Sequence, residues 1–362
     1  MMRVLQVVTD MNRGGLETML MNYYRHIDRE NIQFDFLTHR PYEGEYGSEI
    51  GKLGGTVYHL PRLNPFSPGY RRALNAFFAG HKEYRIVHVH QDCMSSVILK
   101  YAKKNGVPVR IAHSHTSDQE DNYKYPIKLY YRRQIPRYAT ELAACSRKAG
   151  DWMFGGAEYI LVNNAIDAEK FEFDIKTRDK IRKEYGFDDE LVLGHVGSFS
   201  KAKNHDFLID VFQKANKRLP ARLMLIGEGA LKDIIEAKAH SLGLSDRIVF
   251  AGKRDDVAEL MQAMDIFAFP SLFEGLPLSL VEAQAAGLPC YVSEAVSDES
   301  SVSDIVKRLP LSAGAETWAE VIYRTDISKR RQMSDEIRRA GYDIKENARK
   351  LEEFYLSRAE EV

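Results

Sequence analysis

Two glutamates eight positions apart, Glu274 and Glu282, sit in the stretch SLFEGLPLSLVEAQAAGLP (271–289), which is otherwise mostly apolar or small. A buried carboxylate without a partner is costly, so the pair points to a polar ligand docking there. Pro277 is suited to opening a helix, which leaves the backbone amides of Leu278, Ser279 and Leu280 as its exposed N-terminus. Such an end binds anions through orphan amides and the helix dipole, and a diphosphate would suit it. Glu274 lies in the loop before the helix with Gly275 and Leu276, within reach of ligand hydroxyls. Glu282 lies about one turn inside, placed for a ribose. Carboxylates only accept hydrogen bonds, and sugar hydroxyls donate them.

A second constellation is GSFSKAKNH (197–205). Gly197 and Ser198 open a turn that permits close backbone approach, and Lys203 supplies a point charge suited to phosphate. A solvated loop with a surface lysine explains this segment alone equally well. In IGEGALKD (226–233), Gly227 and Gly229 follow an apolar run, but no third glycine completes the dinucleotide fingerprint, so a nicotinamide site has little support. Gly14 and Gly15 follow the first apolar run and precede Glu17, whose plain reading is a helix-capping acid. His88, His90 and His113 have the alternation that puts side chains on one face of a strand, which raises a metal site. With no carboxylate at matching spacing, packing and hydrogen bonding are the favoured roles.

The elements that must position these residues alternate. Short β-branched runs at 3–9, 32–38, 56–60, 85–90 and 109–115 are separated by helical patterns, and a second series follows at 191–198, 221–227, 247–252, 265–270 and 289–293. This is the rhythm of a parallel sheet covered on both faces, given twice. The charged stretch DIKTRDKIRKEYGFDDE (174–190) shows no apolar periodicity, which places the junction between residues 163 and 190. The fold class is therefore α/β, with two doubly wound Rossmann-like domains and a ligand cleft at the carboxyl ends of their strands. A length of 362 residues suits two domains. The formal net charge of −1 offers no field for nucleic acid. Three cysteines without metal-ligand spacing argue for a reducing compartment. The first apolar run breaks at Asp10 and reads as a strand rather than a signal peptide, so the expected location is cytoplasmic. YKYPIKLYYRRQIPRY (Tyr123–Tyr138) interleaves five cations with tyrosines and carries no acid. A packed helix explains it, and so does peripheral contact with the inner face of a membrane.

The ordered set of motifs resembles the retaining glycosyltransferases of family 4, which have the GT-B fold. The resemblance is carried by Glu274 and Glu282 in FEGLPLSLVEAQAAGLP, by VGSFSKAKNH in place of VGRFxxxKNH, and by RIVFAGKRDDVAELMQAMDIFAFPS between them. GGLE at Gly14–Glu17 is similar to the family's N-terminal glycine loop, VPVRIAHSH to the strand ending in its active-site histidine, here His115, and VNNAIDAEKF to its interdomain segment. Two departures stand out. Ser198 replaces the arginine of VGRF and so removes one diphosphate cation, for which Arg254 or Lys201 would compensate, and Ala165 replaces a glycine.

The resemblance implies an acceptor-side domain at 1–165 joined by a returning helix at 343–362, and a donor-binding domain at 166–342. It further implies transfer of a glycosyl unit from a nucleoside diphosphate sugar, a UDP-sugar by frequency among relatives, with retention and with no metal or other cofactor. The acceptor is a glycan or lipid-linked hydroxyl in surface polysaccharide or glycolipid assembly. Catalytic residues carried over are His115, Glu274 and Lys203. Donor contacts are Gly14, Gly15, Gly197, Ser198, Lys203, Gly227, Arg254, Glu274 through Leu280, and Glu282. Alternatives are a sugar-nucleotide epimerase on the same fold and a weakly active donor-binding subunit, the latter motivated by Ser198.

Overall fold

A computed structural model describes residues 1–116, 125–274, 276–328 and 330–361. The chain divides into two compact units, Met1–Ala165 with Ile344–Val362, and Ile166–Asp343.

The N-terminal unit is built on seven strands: β1 (Met2–Val7), β2 (Ile32–Thr38), β3 (Val57–His59), β4 (Ile86–Val89), β5 (Val109–Ser114), β6 (Glu141–Ala144) and β7 (Ile160–Leu161). They lie in the order β3-β2-β1-β4-β5-β6-β7, all parallel. Every residue of β2 is buried, as expected for a strand covered on both faces. Connections leave β1 toward one side of the sheet and β4 toward the other, so their carboxyl ends form the switch point where such sheets bind ligands. The terminal helix Ile344–Glu360 lays Ile344, Ala348, Leu351 and Tyr355 into the core of this unit with Tyr23, Tyr24 and Phe34. Tyr342, just ahead of this helix, packs in the core of the other unit.

The C-terminal unit has six parallel strands: β8 (Leu191–Val196), β9 (Ala221–Ile226), β10 (Ile248–Gly252), β11 (Ile266–Phe269), β12 (Cys290–Ser293) and β13 (Val306–Leu309). Their order is β10-β9-β8-β11-β12-β13, with the switch point between β8 and β11. The charged stretch 174–190, read as junction, holds the helix Ile175–Tyr185 inside this unit. Polar anchoring replaces an apolar stripe there. Asp174 caps the start through the amides of Lys176 and Thr177, Gly186 ends it at φ +64°, and Arg178 and Arg182 both reach the Asp265 carboxylate, at 2.6 and 3.2 Å. The strands β6, β7 and β13 add to those legible in the sequence.

Candidate active site

In the C-terminal unit the loop after β8 is fixed by its neighbours. The Gly197 amide donates to the Ile226 carbonyl, Gly227 to Gly252 and Phe199 to Glu228, which carries the strand ladder past the strand ends. Gly227 (φ +145°) serves this loop packing, since a Cβ there would fall 2.1 Å from the Gly197 carbonyl oxygen. A turn at Lys201–Lys203 closes on Asn204, held at φ +54°. The Asn204 amide group donates to the Pro270 carbonyl at 3.1 Å, and the Leu272 N–H donates to the Ala202 carbonyl at 2.7 Å. The loops after β8 and β11 are thus stitched together.

That stitching brings Lys203 to Glu274, with Nζ 2.6 Å from Oε1 and 4.6 Å above the Phe269 ring. Both side chains are largely shielded, and Gly197 makes room for the lysine stem, because a Cβ would lie 3.1 Å from its Cδ and Cε. Sequence reasoning gave these two residues separate tasks and missed that they form an ion pair. Beyond Glu274 the helix Leu278–Ala285 starts one residue later than expected, with Pro277 as its N-cap. The side chains of Leu276, Leu278 and Leu280 pack on the core, leaving only backbone for a ligand. The Leu280 amide is already bonded to the Pro277 carbonyl at 3.2 Å, so the free amides expected at three positions reduce to Leu278 and Ser279, which have no partner among the described residues. Gly275 lies outside the described residues.

Glu282 is half-buried and its carboxyl is pushed up to about 7 by burial, with the Lys170 charge opposing the shift. Arg254 is forked onto Asp256 at 2.8 and 2.6 Å, so the guanidinium expected to stand in for the missing arginine is engaged with its own loop. Ser198 is exposed, and among the described residues its hydroxyl meets only the Ser200 hydroxyl, at 3.3 Å.

In the N-terminal unit Gly14 and Gly15 are exposed at the start of the helix Gly15–His26, which has no side-chain cap. Glu17 folds back over Gly14, where a Cβ would sit 2.3 Å from its carboxylate. Burial, with Asp10 adding to it, raises the Glu17 carboxyl to about 7. His115 follows β5 directly. Its amide donates to Asp92 Oδ1 at 2.8 Å, its ring stacks on His113 at 4.0 Å, and its Nε2 lies 2.8 Å from His90 Nδ1. Burial depresses the imidazole to about 3, so it is neutral at physiological pH. Asp92 itself sits at φ +43° with its carboxyl raised to about 6 by burial. Nothing in the sequence singled it out beyond its place after β4 at the switch point.

His88, His90 and His113 bring ligand atoms within 4.8 Å of one another. Both nitrogens of His88 and of His90, and Nδ1 of His113, are nevertheless already engaged in hydrogen bonds. The cluster is a satisfied polar network, with only His113 Nε2 unpartnered. Among the described residues no helix is long and apolar enough to cross a membrane.

The arrangement offers a cation, two amides without a partner among the described residues and a carboxylate at one switch point, and a neutral imidazole at the other: groups suited to a diphosphate and to hydroxyls. Comparison with known proteins agrees. Residues 13–170 match the family model Glycosyltransferase Family 4, and residues 177–320 match Glycosyl transferases group 1. The putative glycosyltransferase EpsF of Bacillus subtilis is 36% identical across 98% of this chain and 96% of its own length. The capsular polysaccharide biosynthesis glycosyltransferase CapH of Staphylococcus aureus is 25% identical over 99% of both chains. Among solved structures, Anabaena Alr3699/HepE in complex with UDP-glucose superposes with a TM-score of 0.80 at 17% identity, covering 99% of this chain and 100% of that one. The chain belongs to the family 4 glycosyltransferases and has their GT-B fold of two Rossmann-like units.

Proposed function

We propose that this protein transfers a sugar from a UDP-sugar to an acceptor hydroxyl, with retention at the anomeric carbon and without a metal, in the assembly of a surface polysaccharide. The observation that carries the reading is the Lys203–Glu274 ion pair, set beside a helix N-terminus whose Leu278 and Ser279 amides have no partner among the described residues. A bound diphosphate competes for the lysine and frees the carboxylate to accept hydrogen bonds from sugar hydroxyls. The bond from the anomeric carbon to the phosphate oxygen breaks, and the negative charge that develops is met by Lys203 and the two amides, preorganised as electrostatic catalysis requires. The acceptor oxygen forms the new bond on the same face, and its proton passes to the departing phosphate. Glu282 is assigned to the ribose. The polysaccharide context is supported by the printed names of CapH and of other relatives, and the choice of UDP by the ligand of the Anabaena protein.

The basic aromatic segment supports peripheral membrane contact as part of this reading. Within the described part, the helix Tyr125–Arg132 buries no residue, Ile127 and Tyr130 are exposed, and Arg133 and Arg137 face solvent nearby. Tyr123 and Lys124 lie outside the described residues. Sedimentation with anionic vesicles but not with neutral ones is the expected result.

The deciding experiment is a melting-temperature screen of UDP-, GDP- and ADP-sugars, followed by label transfer from the stabilising donor to a panel of glycan and lipid-linked acceptors. A ligand at a hundred times its Kd stabilises the folded state by about 2.7 kcal/mol. Transferred label supports the proposal. Interconverted free sugar nucleotide would make the protein an epimerase, and stabilisation without turnover would make it a donor-binding subunit.

A further inference from the structure

Behind His115 the N-terminal unit holds a chain of buried polar groups with a single sense of direction. Gln6 of β1, His88 and His90 at β4, and His113 at β5 occupy alternate positions on neighbouring strands and so share one face. Tyr355 reaches them from the terminal helix. Gln6 Oε1 lies 2.9 Å from His90 Nε2, and His90 Nδ1 lies 2.8 Å from His115 Nε2. On the other branch Gln6 Nε2 donates to the Tyr355 hydroxyl at 3.2 Å, that hydroxyl lies 2.6 Å from His88 Nδ1, and His88 Nε2 lies 3.0 Å from His113 Nδ1. All except His115, which is partly accessible, are buried.

The chemistry of each group orients the hydrogens. An amide oxygen only accepts, so His90 Nε2 carries a hydrogen. Burial keeps His90 neutral, which leaves Nδ1 as a lone pair. His115 must then donate through Nε2, and its Nδ1, with no partner among the described residues, is left as an acceptor. The Tyr355 oxygen, receiving the Gln6 amide hydrogen, passes its own to His88 Nδ1, and His88 donates onward to His113. Turning the Gln6 amide over would reverse every one of these bonds and put the hydrogen on His115 Nδ1. The orientation of one buried glutamine amide therefore decides whether the accessible imidazole offers a donor or an acceptor.

We propose that Gln6, acting through His90, is a positioning residue that holds His115 in the Nε2–H tautomer, so that Nδ1 accepts a hydrogen bond from a hydroxyl of the transferred sugar. The role toward the sugar rests on the glycosyltransferase reading; the tautomer does not. Carbon and nitrogen shifts of labelled histidine distinguish the two neutral tautomers in the ligand-free protein. The expected result is the Nε2–H signature for His115 in the wild type and its loss in Gln6→Leu. Tyr355→Phe, nearly isosteric, removes one of the two partners of the Gln6 amide and should mix the tautomers, so it decides the matter if Gln6→Leu does not fold. An Nδ1–H signature in the wild type, or an unchanged Nε2–H signature in the folded variants, overturns the proposal. Turnover of UDP-glucose is the second readout, and it should fall in each variant that loses the tautomer while the melting point with UDP alone is still raised by UDP. A tautomer that shifts in a protein whose wild type neither binds nor turns over any sugar nucleotide leaves Gln6 its positioning role and removes the functional reading.

Discussion

The carboxyl edges of the two sheets solve different problems with the same topology. At the N-terminal switch point the imidazoles and amides behind His115 are bonded mostly to one another, buried and uncharged, with the Asp92 carboxyl beside them on the His115 amide. At the C-terminal switch point the groups are charged, and they are stitched by loop contacts rather than sunk in the core: Lys203 on Glu274, with Glu282 half-buried nearby in sequence. A neutral network can be buried because each hydrogen bond satisfies a partner, whereas a buried charge needs a counter-charge or a ligand. The difference teaches that the first edge is satisfied largely by its own hydrogen bonds, and that the second stores an ion pair which, on the proposed function, a diphosphate would exchange.

The sharpest way to break this comparison is to unmake the neutral edge. Removing residues 346–362 takes Ala348, Leu351 and Tyr355 out of the N-terminal core and strips His88 and Gln6 of their shared partner. Large-to-small core changes alone cost about 2–5 kcal/mol each, and a domain's whole stability is roughly 5–15 kcal/mol, so the N-terminal unit should unfold while the C-terminal unit stays ordered. Hydrogen exchange resolved by unit would register this, and full protection in both units would show that the helix is dispensable. Next in size is Lys203→Ala. It removes one preorganised charge and leaves Glu274 without its partner, so kcat should drop by about 10²–10³. Glu274→Gln should abolish transfer while UDP still raises the melting point. Equal loss of UDP binding in both variants would mean that the pair acts as a nucleotide clamp with no separate task for the carboxylate.

What could be read from residues alone followed the physics of each signal. The β-α rhythm and both switch-point loops were legible because buried parallel strands are continuous apolar runs bounded by glycine turns, as at β8 followed by Gly197. The helix Ile175–Tyr185 was not, because its anchors are Asp174, Gly186 and arginines on Asp265, signals of capping and pairing that a search for apolar periodicity passes over. β7, of two residues, is too short to carry a pattern. At the site, residue types gave away Lys203 and Glu274, but their contact depends on Asn204 and Leu272 joining two loops about 70 positions apart, which no local pattern reports. The contact between Gln6 and Tyr355 was invisible for the same reason, being made across 349 positions.

A smaller effect follows from Glu282. Its carboxyl rises from 4.5 to about 7 on folding, so between those values the unfolded chain ionises first, and stability falls as pH rises through that window and then levels off. Glu282→Gln removes the ionisation. The variant should match the wild type near pH 4 and melt higher than it at pH 8, while binding UDP more weakly if the carboxylate takes the ribose. Parallel melting curves across that range would show that the charged form is already satisfied, and would erase the contrast drawn between the two edges.

The smallest change tests how complete the charged edge is. Ser198 stands where the resembled VGRF motif has arginine, and the structure leaves room for one: the residue is exposed, its hydroxyl touches only Ser200 among the described residues, and the backbone on either side is held by the Gly197 and Phe199 amides. A long side chain grafted there disturbs no core contact and adds a cation beside the loop that carries Lys203. Because the position is open to solvent, the gain toward a diphosphate should be modest, up to about 1 kcal/mol, and should shrink with added salt. Ser198→Arg is therefore expected to leave the fold and the melting point of the free protein unchanged, and to lower the Kd for UDP a few-fold at low ionic strength. A folded variant that loses UDP binding would mean that the loop has been rebuilt around serine, with Lys203 and the two helix amides already sufficient and a second cation in their way.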